Sequence, residues 1–271
     1  MIPTVIVLVA AAVGLAILVR WLEPRFAFFP SPGEDATPAH SGVAFTSHTV
    51  RTEDDEQLRV WQLQGAAGSR RLIVYFHGNG GNLSAWEPIL SGIAKRGYSV
   101  IAADYRGYGL STGRPTERGL YRDADAILKH VSTIAPAPAQ VIYWGRSLGT
   151  PVAAYAATRR PPDGLILEAG FPDARSLLRS SSPVLAFLAL FGTYRFPTAE
   201  LLSQVRAPIL VLHGDADRIV PYHLGRALFD RITGPRRFVT IRGGDHNDAE
   251  PMDPRVYWDA VDELIRATPA H

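Results

Sequence analysis

Cysteine is absent from this 271-residue chain. That removes disulfides, thiolate metal sites and a cysteine nucleophile together. Lysine is nearly absent too: Lys95 and Lys129 are the only examples, so arginine carries the basic side of a formal net charge of +2. The arginines are scattered along the chain rather than gathered into blocks, which excludes a nucleic-acid footprint. Internal repeats are lacking. The one acidic run, Glu53-Asp54-Asp55-Glu56, lacks the ligand spacing of a calcium loop and reads as a solvated turn. With 46% hydrophobic residues, the chain is long enough for one sizeable core.

The strongest apolar signal lies at the N-terminus. Residues 4–19 are uninterruptedly apolar and are closed by Arg20 and Trp21. Counting Ile2 and Trp21 as flanks, the run approaches the ~20 residues that a bilayer span requires. No Lys or Arg precedes it and no small-x-small cleavage site succeeds it, so an uncleaved anchor is expected rather than a signal peptide. Charges are missing from every face, which suits lipid better than a buried core helix. Arg20 and Arg25 lie on the C-terminal flank, and the positive-inside rule therefore places the rest of the chain on the cytoplasmic side. The expected division is an anchor over 1–22, a Pro-rich linker over 23–46 and one folded domain over 47–271. In the linker, Phe26, Phe28 and Phe29 belong either at the membrane interface or against the domain behind them.

From residue 48 the pattern becomes that of strands. Residues 48–52 and 57–64 read as a hairpin across the acidic turn. Six short apolar runs come next, over 71–77, 98–103, 140–144, 164–168, 208–213 and 237–241. Several lack alternation, as expected of strands covered on both faces. Helical stretches over 83–96, 117–131, 148–159, 222–232 and 254–267 separate them, which predicts an α/β fold with a mostly parallel eight-stranded sheet. The rhythm breaks at about 172–205, where an insertion carries an all-apolar middle over 183–191. This reads as a short helical lid, the alternative being an ordinary buried crossover helix.

Chemistry enters at Gly145-Arg-Ser-Leu-Gly149, which succeeds a β-branched and aromatic run and precedes an Ala-rich helical one. That is the strand–sharp turn–helix context in which a serine hydroxyl, here Ser147, is presented as a nucleophile. A serine needs a base, and the base needs an orienting acid. His246, just past the last strand, is the candidate base. Asp217, just past the run over 208–213, is the candidate acid, in competition with Asp215 in its own loop and Asp173 after the preceding strand. The order Ser147, Asp217, His246 and their positions after strands place all three on one edge of a parallel sheet. An oxyanion needs two backbone N–H donors. Leu148 is expected to supply one, and the Gly-rich loop His77-Gly-Asn-Gly-Gly-Asn82 the other, from Asn79 or its rival Gly80. That loop has neither the P-loop lysine nor a dinucleotide spacing. His77 and His213 read as buried structural residues.

Taken with Asp104-Tyr-Arg-Gly-Tyr-Gly-Leu-Ser-Thr-Gly-Arg-Pro115, His213-Gly-Asp-Ala-Asp217 and Gly244-Asp-His-Asn-Asp248, these motifs resemble the α/β-hydrolase superfamily. The resemblance is nearest to its small, N-terminally membrane-anchored serine hydrolases, which include eukaryotic protein depalmitoylases, and it runs from about His48 to the C-terminus. It implies Ser147 as nucleophile, Asp217 as acid, His246 as base, the Asn79 and Leu148 amides as oxyanion hole, and no cofactor or metal. In that family residues 104–115 form a loop beside the site; here the loop reads as structural, with Tyr105 a candidate for the pocket wall. The lid departs from the pattern, so the substrate does not carry across. The expected function is hydrolysis of carboxylic esters or thioesters, with small-molecule or lipid-like acyl substrates and the membrane, not nucleic acid, as partners. The alternatives are an amidase or peptidase using the same triad, and a catalytically silent membrane-bound binding protein.

Overall fold

A computed structural model describes residues 2–134 and 140–268; the outermost residues of the expected division, 1 and 269–271, lie outside them. The apolar runs form one eight-stranded sheet. Its strands are β1 (Phe45–Arg51), β2 (Gln57–Leu63), β3 (Arg71–Phe76), β4 (Ser99–Ala103), β5 (Gln140–Arg146), β6 (Gly164–Glu168), β7 (Ile209–Gly214) and β8 (Arg236–Ile241). Their spatial order is β8-β7-β6-β5-β3-β4-β2-β1. Neighbours from β8 to β4 are parallel, and only β2 runs against the rest.

The sheet is covered on both faces. Alternate residues of the central strands enter opposite cores: Val74, Phe76, Tyr143, Leu165 and Leu167 one, Ile73, Tyr75, Ile142, Trp144 and Ile166 the other. The first core is closed by helices α3 (Glu117–Ile134), α4 (Gly149–Arg159) and α8 (Tyr222–Asp230). The second is closed by α2 (Leu83–Lys95) and α10 (Pro254–Ala267), with the short α9 (Ala249–Met252) adding Ala249. This two-period partition is why the strands read as unbroken apolar runs.

Before the sheet comes α1 (Ile2–Ala27), a helix of 26 residues. Its span from Thr4 is long and apolar enough to cross a membrane, and none of its most apolar stretch is buried in the protein. At 1.5 Å per residue the helix is ~39 Å long, more than the ~30 Å of a bilayer's hydrocarbon core. It continues past residue 22 and takes in Pro24, whose missing N–H leaves the Arg20 carbonyl without its helical partner. The chain leaves helical geometry only at Phe28.

The segment after α1 is stitched to the body that carries the sheet rather than running free of it. Phe29–Pro30 pairs in parallel with Gly80–Gly81. Phe28 is buried and meets the rings of Tyr194 and Phe196 edge-on, whereas Phe26 and Phe29 are exposed. Asn82 donates to the Ser31 and Gly33 carbonyls, and Glu34 accepts from Arg59 and Trp61 at 2.8–2.9 Å. The acidic turn between β1 and β2 is likewise not merely solvated. Asp54 pairs with Arg106 and Arg122 at 2.7–3.0 Å, and these bonds hold its carboxyl well below the usual range.

Between β6 and β7 lie α5 (Ala174–Ser181), α6 (Pro183–Leu188) and α7 (Thr198–Leu202). α6 is not a buried crossover helix: Val184, Leu185 and Phe187 are exposed, as is Leu190 just beyond it.

Candidate active site

β5 ends in the sharp turn that its glycines anticipate. A Cβ on Gly145 would strike the Gly149 carbonyl and the Ala153 side chain; one on Gly149 would strike the Phe76 carbonyl. Between them Ser147 is held at φ 51°, in the left-handed region that costs a non-glycine residue roughly 1–2 kcal/mol. The Ser147 N–H donates to the Glu168 carbonyl at 2.9 Å, and the Thr150 hydroxyl donates to the Ser147 carbonyl at 2.7 Å. The serine is thus fixed at the C-terminal edge of the sheet by its neighbours rather than by its own preference.

The loops after β7 and β8 bring two further residues to the same edge. His246 Nε2 lies 3.0 Å from Ser147 Oγ, and His246 Nδ1 lies 2.8 Å from Asp217 Oδ2. A carboxylate can only accept, so Nδ1–H donates to Asp217 and leaves Nε2 free to accept from the serine hydroxyl. The other Asp217 oxygen accepts from the Ile219 and Val220 amides at 2.9 and 2.8 Å. Burial alone would raise the pKa of this carboxyl. Hydrogen bonds from His213 and His246, with the Val220 amide, outweigh that and hold it well below the usual carboxylate range.

The competing acids are occupied elsewhere. Asp173 caps α5, accepting from the Ser176 amide and hydroxyl at 2.8 Å. Asp215 accepts from the Gly243 amide at 2.6 Å and ties two loops together, while Asp245 accepts from Arg218 and from its neighbour's amide. His77 and His213 are fully buried. His77 Nδ1 donates to the Gly78 carbonyl at 2.7 Å and His213 Nε2 to the Val220 carbonyl at 2.8 Å. Burial pushes His77 down to about 4, so its ring is neutral at physiological pH.

Ser147, Leu148 and His246 open onto a cavity of about 1230 Å³ whose wall also contains Gly78, Asn79 and Gly80. The structure therefore brings both expected oxyanion segments to the cavity that Ser147 lines. The Asn79 side chain is turned to another task. Its Oδ1 accepts from the Tyr108 hydroxyl at 2.8 Å, and its Nδ2 donates to the Ala27 carbonyl at 2.8 Å, tying the loop to the end of α1. Tyr105 is structural, as expected of its loop, and is not part of the cavity wall for which it was a candidate. It is fully buried, stacks near His77 with ring centroids 4.2 Å apart and donates to the His77 carbonyl, so it braces this loop from beneath.

Three contributors were not anticipated. Arg146, the second residue of the turn motif, is buried; its Nη2 donates to the His246 carbonyl at 2.9 Å, its Nε lies 3.5 Å from Glu168 and its guanidinium sits over the Trp86 ring. Trp86 in α2 walls the cavity. So does α1, through Val19, Leu22 and Phe26, together with Leu177, Leu185 and Leu188 of the insertion after β6. Arginine in a motif's variable position and apolar residues in an N-terminal apolar helix carry no local signal of such roles. Among the described residues no group of three or more His, Cys, Asp or Glu could hold a metal ion.

A mostly parallel eight-stranded sheet, helices on both faces and a serine on a tight turn after the central strand define an α/β hydrolase. Comparison with known proteins makes this specific: the family model described as serine aminopeptidase, S33, matches residues 67–203, and the chain belongs to this family within the α/β-hydrolase superfamily. The uncharacterized protein Rv2307c of Mycobacterium tuberculosis is 33% identical over 98% of this chain and 95% of its own length. The lysophosphatidylserine lipase ABHD12 of Danio rerio is 34% identical over 76% of this chain, but the match spans only 58% of the lipase. Among solved structures, the Pyrococcus furiosus esterase Pf2001 superimposes with a TM-score of 0.74 at 17% identity, covering 90% of this chain and 98% of the esterase. At that identity the likeness speaks for the fold. The chain is therefore a hydrolase of a superfamily whose relatives include lipases and esterases.

Proposed function

We propose that this protein is a membrane-anchored serine hydrolase that cleaves carboxylic esters or thioesters of acyl or lipid-like compounds. The observation that carries the reading is the unbroken hydrogen-bonded run Ser147–His246–Asp217 at an apolar cavity. In this reading Ser147 Oγ attacks the acyl carbon while His246 Nε2 takes its proton, and Asp217 steadies the resulting imidazolium. The amides of Leu148 and of Asn79 or Gly80 receive the tetrahedral oxyanion. His246 then protonates the leaving group, and water repeats the sequence on the acyl-enzyme. Arg146 acts as a positioning residue, holding the loop of His246 against the turn that carries Ser147.

The relative named a lysophosphatidylserine lipase supports a lipid-like substrate, as do the six leucines and four phenylalanines in the cavity wall. The division into an anchor over 1–22, a connector over 23–46 and a hydrolase domain over 47–271 belongs to this proposal, as does a cytoplasmic domain, on the strength of Arg20 and Arg25. The test is a series of p-nitrophenyl esters of increasing acyl length, with matched anilides, on the detergent-solubilised protein. Each methylene buried in the cavity contributes ~0.8 kcal/mol, or roughly four-fold in kcat/KM, so the rate should climb with chain length until the cavity is full. A flat series would overturn the acyl pocket, faster anilides would favour the amidase alternative, and a folded protein that cleaves neither would sink the hydrolase reading.

A further inference from the structure

The cavity has an unusual wall. It combines the last turns of α1, through Val19, Leu22 and Phe26, with the lid, through Leu185 and Leu188. Phe26 lines the cavity yet is 70% exposed, so the cavity meets the molecular surface along this seam. The outer side of the lid is also apolar. Val184, Phe187 and Leu190 are 66, 54 and 65% exposed, and none of them lines the cavity. Residues 180–194 contain no charged side chain and are bracketed by Arg179 and Arg195. Exposed apolar clusters rimmed by polar residues mark surfaces that meet something apolar.

The attachment of the lid indicates its counterpart. Arg20 Nε donates to the Phe191 carbonyl at 3.4 Å. The Glu23 carboxylate accepts from the Thr193 amide at 2.8 Å, the Tyr194 amide at 2.9 Å and the Thr193 hydroxyl at 2.5 Å. Glu117 of α3 accepts from the next two amides, Arg195 and Phe196, at 2.6 and 2.8 Å. The lid is therefore pinned alongside residues 20–23, the end of the apolar helix. One helical turn is ~5.4 Å, so the lid sits within a turn or so of the level at which α1 leaves its apolar stretch. Apolar faces of interfacial helices bury to ~5–10 Å, the same depth. The flanking arginines suit that position, since their aliphatic stems lie in the apolar zone while their charges reach the headgroups.

We propose that the outer face of the lid is a second membrane-inserting surface, occupied by the bilayer that α1 enters. Through the seam between α1 and the lid, a single acyl chain of a membrane lipid passes from that bilayer to Ser147. This rests on the membrane-anchored hydrolase reading given above and adds the route and the physical state of the substrate: a chain still held in a leaflet, not a monomer in water. Glu23 makes the arrangement geometrically definite, because it sets the lid's position relative to the anchor with a carboxylate whose donors come from the lid backbone.

The test exploits the lack of native cysteine. Phe187→Cys, Leu190→Cys and, at the opposite end of β3, Ala67→Cys each create a single site for an environment-sensitive fluorophore on the full-length protein in phosphatidylcholine vesicles. Labels at 187 and 190 are expected to shift to the blue and to be quenched by lipids brominated high on the acyl chain, while the label at 67 is not. Labels at 187 and 190 that behave like the one at 67 would overturn the proposal. So would quenching that depends on protein density but not on brominated lipid, which would assign this face to a second copy of the chain. In parallel, Phe187→Asp with Leu190→Asp should lower hydrolysis of a vesicle-borne long-chain ester about ten-fold or more while leaving soluble p-nitrophenyl acetate unchanged. Equal retention of both activities would refute the route. If the wild type cleaves no ester, the functional reading fails, and the fluorescence result still decides the lid's surface by itself.

Discussion

Replacing Asp217 by asparagine separates the proposed acid's orienting role from its structural one. An asparagine oxygen can still accept from the Ile219 and Val220 amides, which Asp217 Oδ1 serves at 2.9 and 2.8 Å. The new NH₂ group takes the place of the oxygen that lies 2.8 Å from His246 Nδ1. An amide donor there forces Nδ1 to accept, which moves the imidazole proton to Nε2, where it faces Ser147 Oγ. The ring can then no longer take the serine proton, and the imidazolium has lost its counter-charge. The equivalent change in a serine protease costs about 10⁴-fold, or about 5.4 kcal/mol of activation free energy. The assay is kcat for a soluble p-nitrophenyl ester, read beside thermal melting in the same detergent. Asp217→Asn should lose activity by that order while still melting cooperatively. The native carboxyl is held below its unfolded pKa, so its stabilisation is present above about pH 4 and is lost as pH falls through the folded value. The stability gap between wild type and variant should therefore narrow in acid. Asp173→Asn keeps a helix cap and should remain within a few-fold of wild type. More than about a tenth of the wild-type rate in Asp217→Asn, or a larger loss in Asp173→Asn, would refute the assignment.

Backbone strain and burial each carry a stability prediction. Ser147→Gly and Ser147→Ala should both be inactive, but the glycine variant should be more stable than the alanine one by about 1 kcal/mol, because only glycine is unstrained at φ 51°; a less stable glycine variant in thermal melts would contradict this. Asp104 is pushed up to about 7, chiefly by burial and against the Leu83 amide that donates to it at 2.8 Å. A raised folded pKa gives stability that is present below the unfolded value and lost as pH rises through the folded one. Asp104→Asn should thus gain on wild type between about pH 4 and pH 7, by something on the order of 4 kcal/mol, and a pH-independent difference in unfolding free energy would refute it.

Much of the molecule was legible because its signals are local. Strand and helix periods placed all eight strands, and the helix Pro254–Ala267 matches its expected bounds, since Pro254 opens it where an N–H is not needed. The clash-forced glycines at 145 and 149 marked the serine, and residues just past strands marked the histidine and aspartate that the fold brings to it. What the sequence hid are contacts between distant segments. Nothing near Asn79 indicates that its side chain holds Ala27, 52 residues away, or that Arg146 reaches the carbonyl of His246, 100 residues away. Tyr105 looked like a pocket residue because its motif borders the site, yet its ring packs under the loop. The proline-rich stretch after α1 reads as a free linker from composition; its bonds to Gly80, Gly81, Asn82 and Arg59 come from groups that only the sheet assembles. Nor does anything near Glu23 indicate that it holds the Thr193 amide, 170 residues on.

Whether Ser147 is a working nucleophile is decided by covalent labelling. The detergent-solubilised protein would be treated with a fluorophosphonate probe, digested and mapped by mass spectrometry, beside Ser147→Ala. One adduct on the peptide carrying Ser147, absent from the variant, is the expected result. A folded wild-type protein that takes no label, or an adduct that persists on another serine in Ser147→Ala, would contradict the account.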